Sequence, residues 1–134
     1  MLAPALDGLR LSLHVLAAAV WVGGQLTIAG LVPAARQVSD DAPRVLGRAF
    51  ARLAWPAFAL LVITGFWNIA AVHPSKQTTA WQVVLWVKLG VVALAGVSTL
   101  LHQRASSRAA IAAWGSVAGL TSIAALVMGV LLAN

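Results

Sequence analysis

The chain has 134 residues, of which 61% are hydrophobic and only 9% are charged. A soluble domain is roughly half apolar and about a quarter charged, so a soluble core could not bury this much apolar surface. The chain has no cysteine, which excludes disulfides, thiolate metal ligands and thiol catalysis. Its formal net charge of +6 lies at the ends of apolar runs and not in a patch interleaved with aromatic residues. We therefore predict a protein of the lipid bilayer that binds no nucleic acid.

The first apolar run is predicted to be a transmembrane helix. It begins with Asp7 and Arg10 and lacks the basic region with which a signal peptide starts, and more apolar runs follow it. We therefore interpret it as a retained helix and not as a cleaved signal peptide. A helix needs about 20 residues to cross a hydrocarbon core of about 30 Å. Stretches long enough to do so lie at 9–32, 49–71, 80–101 and 109–133.

Short loops separate these stretches. Pro33 and Pro43 are interpreted as helix breakers in the first loop, and the second and third loops read HPSKQTT and HQRASSR. Loops of this length make consecutive helices antiparallel neighbours. We predict an all-α fold with a single domain over residues 1–134, namely a four-transmembrane-helix antiparallel bundle.

The distribution of basic residues predicts the orientation of the bundle. Only Arg10 and Lys76 flank one set of helix ends, whereas arginines are concentrated in or beside the first and third loops: Arg36, Arg44, Arg48, Arg52, Arg104 and Arg108. The positive-inside rule places those two loops in the cytoplasm and both termini outside. We expect a multi-pass protein of a bacterial-type cytoplasmic (inner) membrane.

Ionisable side chains inside a membrane segment are functional candidates because they are costly to keep there. At about 1.5 Å of rise per residue, His14, Lys88 and Met128 all lie outward of the bilayer centre, in the outer leaflet. Helical periodicity puts His14 on one stripe with Trp21, and Lys88 on a polar stripe of the third helix. We predict that His14 and Lys88 face a common interior in the outer half of the bundle.

Each of these residues also has a plainer interpretation. Lys88 can extend its amine to the interface, and His14 can serve as a hydrogen bond between helices. Met128 and Trp21 can fill the core. The other histidines are interpreted as solvated loop residues: His73 and His102.

Three stretches carry a family resemblance: LHVLAAAVWVGG in the first helix, WPAFALLVITGFW in the second and WQVVLWVKLGVVAL in the third. The chain resembles the copper-resistance D (CopD) domain and, more distantly, the HemJ-type protoporphyrinogen oxidases. Both are small membrane bundles with His-x6-Trp-x-Gly/Ala-Gly on the first helix and an intramembrane lysine on the third. The resemblance implies that His14 and Lys88 are the functional pair, supported by Trp21, Gly23, Gly24 and Gly65.

The first functional hypothesis is haem b binding in the outer half of the bundle, with His14 as axial ligand. A porphyrin needs small residues and aromatic walls such as Trp21, and cations for its propionates. Arg10, one turn outward from His14, supplies a cation. Lys88 would ligate iron or pair with a propionate, and Met128 is a candidate sixth ligand. The haem would serve electron transfer or tetrapyrrole redox chemistry, as in an oxidoreductase.

The second hypothesis is copper binding or transport across the cytoplasmic membrane, with His14 and Met128 as metal ligands, although the chain is poor in the thiolate and thioether ligands that copper(I) favours. The third is a structural subunit of a larger membrane complex, in which His14 and Lys88 only hold helices together. Because the chain is about half the length of a full CopD-like protein, the resemblance also implies that it works either as a homodimer or as a stand-alone domain.

The orientation can be tested with reporter fusions. We expect alkaline phosphatase fused after Asn134 to be active, because the enzyme matures only outside the cytoplasm. The same enzyme fused after Asp40, in the first loop, should be inactive. Phosphatase activity at equal expression is the measurement, and a fluorescent protein fused at the two positions should give the opposite pattern. An inactive C-terminal phosphatase with a fluorescent C-terminal reporter would reverse the orientation.

Overall fold

A computed structural model describes residues 2–134, with side chains described from residue 3. Over that range the chain forms helices and turns and no β-strand. The elements are α1 (Leu2–Ala18), a π-helical turn (Ala19–Gly23), α2 (Gly24–Val38), α3 (Ala42–Val72), a 3-10 turn (Pro74–Lys76), α4 (Thr79–Arg104) and α5 (Arg108–Ala133). The prediction of an all-α chain is confirmed.

Four helical stretches are long and apolar enough to cross a membrane: Ala3–Val38, Ala42–Val72, Thr79–Arg104 and Arg108–Ala133. Each exceeds the roughly 20 residues that a crossing requires. Large apolar side chains on these stretches are exposed, among them Val15, Trp86 and Leu120, as a lipid-facing surface requires. The described part of the chain thus has the four predicted spans of a multi-pass membrane protein.

The first span extends beyond the predicted 9–32 at both ends, and it extends at its C-terminal end because Pro33 does not break it. The α2 helix continues through Pro33 to Val38. Proline holds φ near −65°, which is a helical value, and its main cost in a helix interior is one missing backbone hydrogen bond with local crowding. Membrane helices tolerate that loss where neighbouring groups compensate. The prediction of a break at Pro33 is wrong.

The second span begins before the predicted residue 49, so the first loop contains only residues 39–41. The Ala42 amide donates to the Ser39 hydroxyl at 3.1 Å, which is the hydrogen bond of a helix N-cap. Pro43 lies in the first turn of α3, where its missing N–H is not needed. The interpretation of Pro43 as a helix breaker is therefore wrong, because it stands where prolines begin helices.

The third and fourth spans follow the predicted 80–101 and 109–133 closely at their starts. The Trp81 amide donates to the Thr78 hydroxyl at 3.2 Å and the Ala110 amide to the Ser107 hydroxyl at 3.1 Å, so both helices have a hydroxyl N-cap. The α4 helix continues to Arg104. His102 therefore lies in the last turn of a helix, and its interpretation as a loop residue is wrong.

The chain divides into two compact units, Met1–Val72 and His73–Asn134. In the first unit, α1 and α2 pack against α3 around Trp21, Val22 and Ala54. In the second unit, α4 packs against α5, and the buried residues of these helices are mostly small: Ala95, Gly96, Ser98, Thr99, Ala118 and Ser122, with Leu85. Small residues allow close helix packing in lipid. The prediction of one domain stays a prediction.

Gly24 is the position at which the packing of the first unit is least tolerant of an added methyl group. The Phe50 ring on α3 occupies the space that a Cβ on Gly24 would need, whereas a Cβ on Gly30 would meet nothing within 4 Å. We expect Gly24→Ala to destabilise the protein by about 1–3 kcal/mol relative to Gly30→Ala, because overpacking costs that much. Both variants gain the same helix propensity, so the comparison isolates the clash.

The measurement is the thermal unfolding midpoint in detergent micelles, followed by circular dichroism. Replacing Phe50 by leucine in the Gly24→Ala variant should restore part of the lost stability. Equal midpoints for Gly24→Ala and Gly30→Ala would show that Phe50 moves aside without cost.

Candidate functional site

His14 is joined to α3 by a side-chain hydrogen bond inside the first unit. The imidazole Nδ1 lies 2.8 Å from the Thr64 hydroxyl oxygen. Thr64 is only 1% exposed, and His14 is half-buried on α1. The plainer interpretation of His14, a hydrogen bond between helices, is thus correct for one of its ring nitrogens.

The Thr64 hydroxyl determines which imidazole nitrogen carries the proton. The hydroxyl also lies 2.7 Å from the Leu60 carbonyl oxygen, which can only accept, and we predict that it donates its single proton there. Its oxygen therefore accepts from His14 Nδ1–H. In the neutral imidazole the Nε2 atom then bears the lone pair. A metal-binding histidine is commonly held in this way, with its second nitrogen donating to a neighbouring group.

Gly65 leaves space beside the imidazole. The His14 Cε1 atom lies 3.5 Å from the position that a Cβ on Gly65 would occupy. A methyl group there would make ordinary contact with the ring, but any larger side chain would press on the imidazole edge between its two nitrogens. Gly65 is one of the positions to which the family resemblance points, and its place against His14 gives that position a physical reason.

The π-helical turn Ala19–Gly23 follows His14 on the same span and contains Trp21. Such turns are frequent at functional sites. Trp21 is 2% exposed, and its ring centroid lies 5.7 Å from that of Trp55 and 4.5 Å from that of Phe58. The structure therefore places Trp21 in the aromatic core of the first unit. Its predicted role as a cofactor wall stays a prediction.

Arg10 is the one buried arginine among the described residues. It is 7% exposed, and its Nη2 donates to Asp7 Oδ1 at 3.0 Å. The Arg10 Nε and Nη1 atoms are buried without a hydrogen-bond partner among the residues that the structure describes. Arg10 and His14 are four residues apart on α1, so they share a face of that helix.

Lys88 and Met128 are both in the second unit. The Lys88 ammonium nitrogen lies 3.0 Å from the position of a Cβ on Gly129, so the glycine leaves room for the amine against α5. Met128 precedes that glycine and is half-buried. Lys88 thus meets α5 next to Met128, in agreement with their similar predicted depth. His14 belongs to the other unit, and its predicted meeting with Lys88 stays a prediction.

Side chains fasten both ends of the α4–α5 pair. Trp81 Nε1–H donates to the Leu132 carbonyl at 3.0 Å, and His102 Nδ1–H donates to the Ile111 carbonyl at 2.7 Å. The His102 ring lies over Gly115, where an added Cβ would be 3.0 Å from two ring atoms. His102 therefore has a structural role. His73 is exposed and lies outside the helices, as predicted.

Sequence reasoning missed Thr64 and Asp7 as partners of the site. Thr64 was detectable as the only hydroxyl in the apolar stretch WPAFALLVITGFW, immediately before Gly65. No group of three or more His, Cys, Asp or Glu side chains able to hold a metal occurs among the described residues. We found no matching protein-family model, no matching curated protein and no matching solved structure.

The Thr64 hydrogen bond makes a prediction about the His14 tautomer. A neutral hydrogen bond contributes about 1 kcal/mol, so Thr64→Val should shift the tautomer ratio of His14 about fivefold toward Nε2–H. Thr64→Ser, which keeps the hydroxyl, should leave it unchanged. The measurement is long-range proton–nitrogen NMR of protein labelled at its three histidines.

His102 is the internal control in that spectrum, because its Nδ1–H bonds to a backbone carbonyl and not to Thr64. Its signal should stay the same in both variants. Identical His14 signals in Thr64→Val and Thr64→Ser would contradict the tautomer assignment.

Proposed function

We propose that this chain binds haem b in the outer half of a membrane bundle, with His14 as an axial ligand. The observation that carries the proposal is the hydrogen bond between His14 Nδ1 and the Thr64 hydroxyl. It directs the Nε2 lone pair away from Thr64, as an iron ligand requires. Haem, when bound, supplies an iron centre for one-electron chemistry, and its axial ligand and surroundings set its potential.

The residues around His14 fit a flat apolar group. Gly65 presents no side chain beside the imidazole, and Gly23 has nothing within 4 Å of its Cβ position. Trp55 and Phe58 are partly exposed on α3, which also carries Gly65, and they provide aromatic surface, whereas Trp21 is buried against them. Pockets for cofactors are mostly apolar, with a few polar groups that fix orientation. His14 and Thr64 would be those groups here.

The bundle of the proposal is antiparallel with both termini outside, in a bacterial-type cytoplasmic membrane. Its support is the short connections at 39–41 and 105–107, the arginine distribution and the contacts of Trp81 and His102 at opposite ends of α4. Lys88 is proposed as an iron ligand or as a partner for a propionate. Met128, next to Gly129, would be the candidate sixth ligand.

The resemblance to CopD and HemJ supports tetrapyrrole or electron-transfer chemistry through the quoted motifs of His14, Trp21 and Lys88. A haem on His14 would then exchange electrons with a membrane partner or with a bound tetrapyrrole. The role of the chain is to fix the imidazole, to hold the cofactor in lipid and to keep water from it. The alternative is a copper ion bound by His14 and Met128, and the following experiment distinguishes it from haem.

The test is the optical spectrum of the protein purified from cells supplied with a haem precursor. We expect an intense Soret band that shifts on reduction with dithionite. His14→Ala should abolish the band because the axial ligand is lost, whereas His73→Ala, at an exposed position, should retain it. A colourless wild-type protein that contains stoichiometric copper by elemental analysis would reject haem and establish the copper alternative.

The contribution of Lys88 is tested separately in the same assay. Lys88→Ala should weaken the Soret band or shift its position, and Lys76→Ala, an exposed lysine in the second loop, should change neither. If Lys88→Ala gives the wild-type spectrum, Lys88 is not part of the cofactor site. The assignment of His14 would then depend on the result for His14→Ala alone.

A further inference from the structure

Arg10 carries hydrogen-bond donors that the protein does not satisfy. Two of its three guanidinium nitrogens, Nε and Nη1, are buried and have no acceptor in the described part of the chain. Burying donors of a cation without acceptors is costly, and the cost is larger in a membrane than at a solvated surface. Native proteins rarely leave such groups unpaired, so an unpaired buried guanidinium indicates an acceptor that comes from outside the polypeptide.

Asp7 does not complete the surroundings of Arg10. Its carboxylate bonds only to Nη2, and its own side chain is 61% exposed. An ion pair with one solvent-exposed partner contributes little to stability. The Asp7 contact therefore orients the guanidinium and leaves its other donors available for a second anion.

The position of Arg10 along the first span specifies where that anion would lie. Arg10 is about 16 Å from the middle of Ala3–Val38 at 1.5 Å per residue, close to the edge of a hydrocarbon core about 30 Å thick. Polar groups of amphiphilic molecules lie at this level. His14 is one turn deeper on the same face, about 6 Å along the axis.

We infer that Arg10 binds the oxyanion of an amphiphilic ligand whose apolar body extends toward the level of His14. Arginine suits this role because its planar guanidinium makes charge-assisted, often bidentate bonds to carboxylates and phosphates. The inference rests on the proposed function for one source of the oxyanion, a haem propionate. The phosphate of an anionic phospholipid offers the same chemistry from a second source. Arg10 would thus select ligands that carry a free acid group.

The first experiment compares haem b with its dimethyl ester, which lacks both propionate charges, in spectroscopic titrations of the full chain. The wild-type protein should bind the free acid about tenfold to a hundredfold more tightly than the ester, as expected for charge-assisted hydrogen bonds. Arg10→Gln should lose most of that preference by weakening haem binding while leaving ester binding unchanged. Arg36→Gln, which removes an exposed arginine from the same span, should behave as wild type.

Asp7→Asn separates ligand binding from a structural role of the ion pair. It removes the Asp7 charge but keeps the guanidinium, so the preference for the free acid should persist. If Arg10→Gln and Asp7→Asn weaken haem and ester binding equally, Arg10 only stabilises the fold and the inference is overturned. It is also overturned if Arg10→Gln keeps the full preference for the acid.

The second experiment applies if the wild-type protein binds neither haem nor its ester, a result that rejects the proposed function alone. Native mass spectrometry of the protein from vesicles of phosphatidylglycerol and phosphatidylcholine then counts retained lipids. The wild type and Arg36→Gln should retain more phosphatidylglycerol than Arg10→Gln, with equal phosphatidylcholine. Equal phosphatidylglycerol retention by the wild type and Arg10→Gln would overturn the inference.

Discussion

Lipid hydrocarbon offers no hydrogen-bond partners, so every polar group within the spans must find its partner in the protein or in a bound molecule. The helices meet this constraint for the backbone. Five hydroxyls on them meet it by donating to carbonyls one turn back: Thr27 to Gly23, Thr64 to Leu60, Thr99 to Ala95, Ser116 to Ala112 and Thr121 to Val117. A hydroxyl whose proton is used in this way presents only its oxygen to a neighbouring helix.

This use of the hydroxyl proton gives Thr64 its effect on His14. A threonine in water could donate to an imidazole or accept from it, and the tautomer would be undetermined. In α3 the Leu60 carbonyl lies within reach of that proton, so we expect the imidazole to be the donor and its Nε2 to be the basic nitrogen. The chemistry available at His14 thus follows from a helix backbone on another element.

The exceptions to the constraint are informative for the same reason. Among the described residues, buried side-chain atoms without a partner occur on Arg10, Asn68 and Ser98. A neutral hydroxyl or amide in this condition costs a modest free energy, whereas a guanidinium costs much more. Asn68 and Ser98 need no ligand to explain them, but Arg10 indicates one.

The number and type of the spans were predictable because composition and run length are local properties of the sequence. The ends of the spans were less predictable. Pro33 and Pro43 are both prolines near the ends of apolar runs, yet Pro33 lies inside α2 and Pro43 lies in the first turn of α3, after the Ser39 cap. His14 could be identified from an imidazole in an apolar run. Thr64 is the only hydroxyl of its apolar stretch, but its contact with His14 could not be predicted, because that contact depends on how α1 packs against α3, which periodicity within one helix does not determine.

Glycines show the same limit more generally. Sequence spacing identifies Gly24, Gly65 and Gly129 only as small residues, and their expected role is close helix contact. Each one instead leaves room for a particular side chain: the Phe50 ring, the His14 imidazole and the Lys88 amine. Two of these three side chains are polar groups within a span, where each needs space as well as a hydrogen-bond partner. In this protein a glycine opposite a half-buried polar side chain is therefore part of the candidate site, since a side chain larger than alanine at Gly65 would press on the imidazole and a Cβ at Gly129 would shift the amine, without any change of charge.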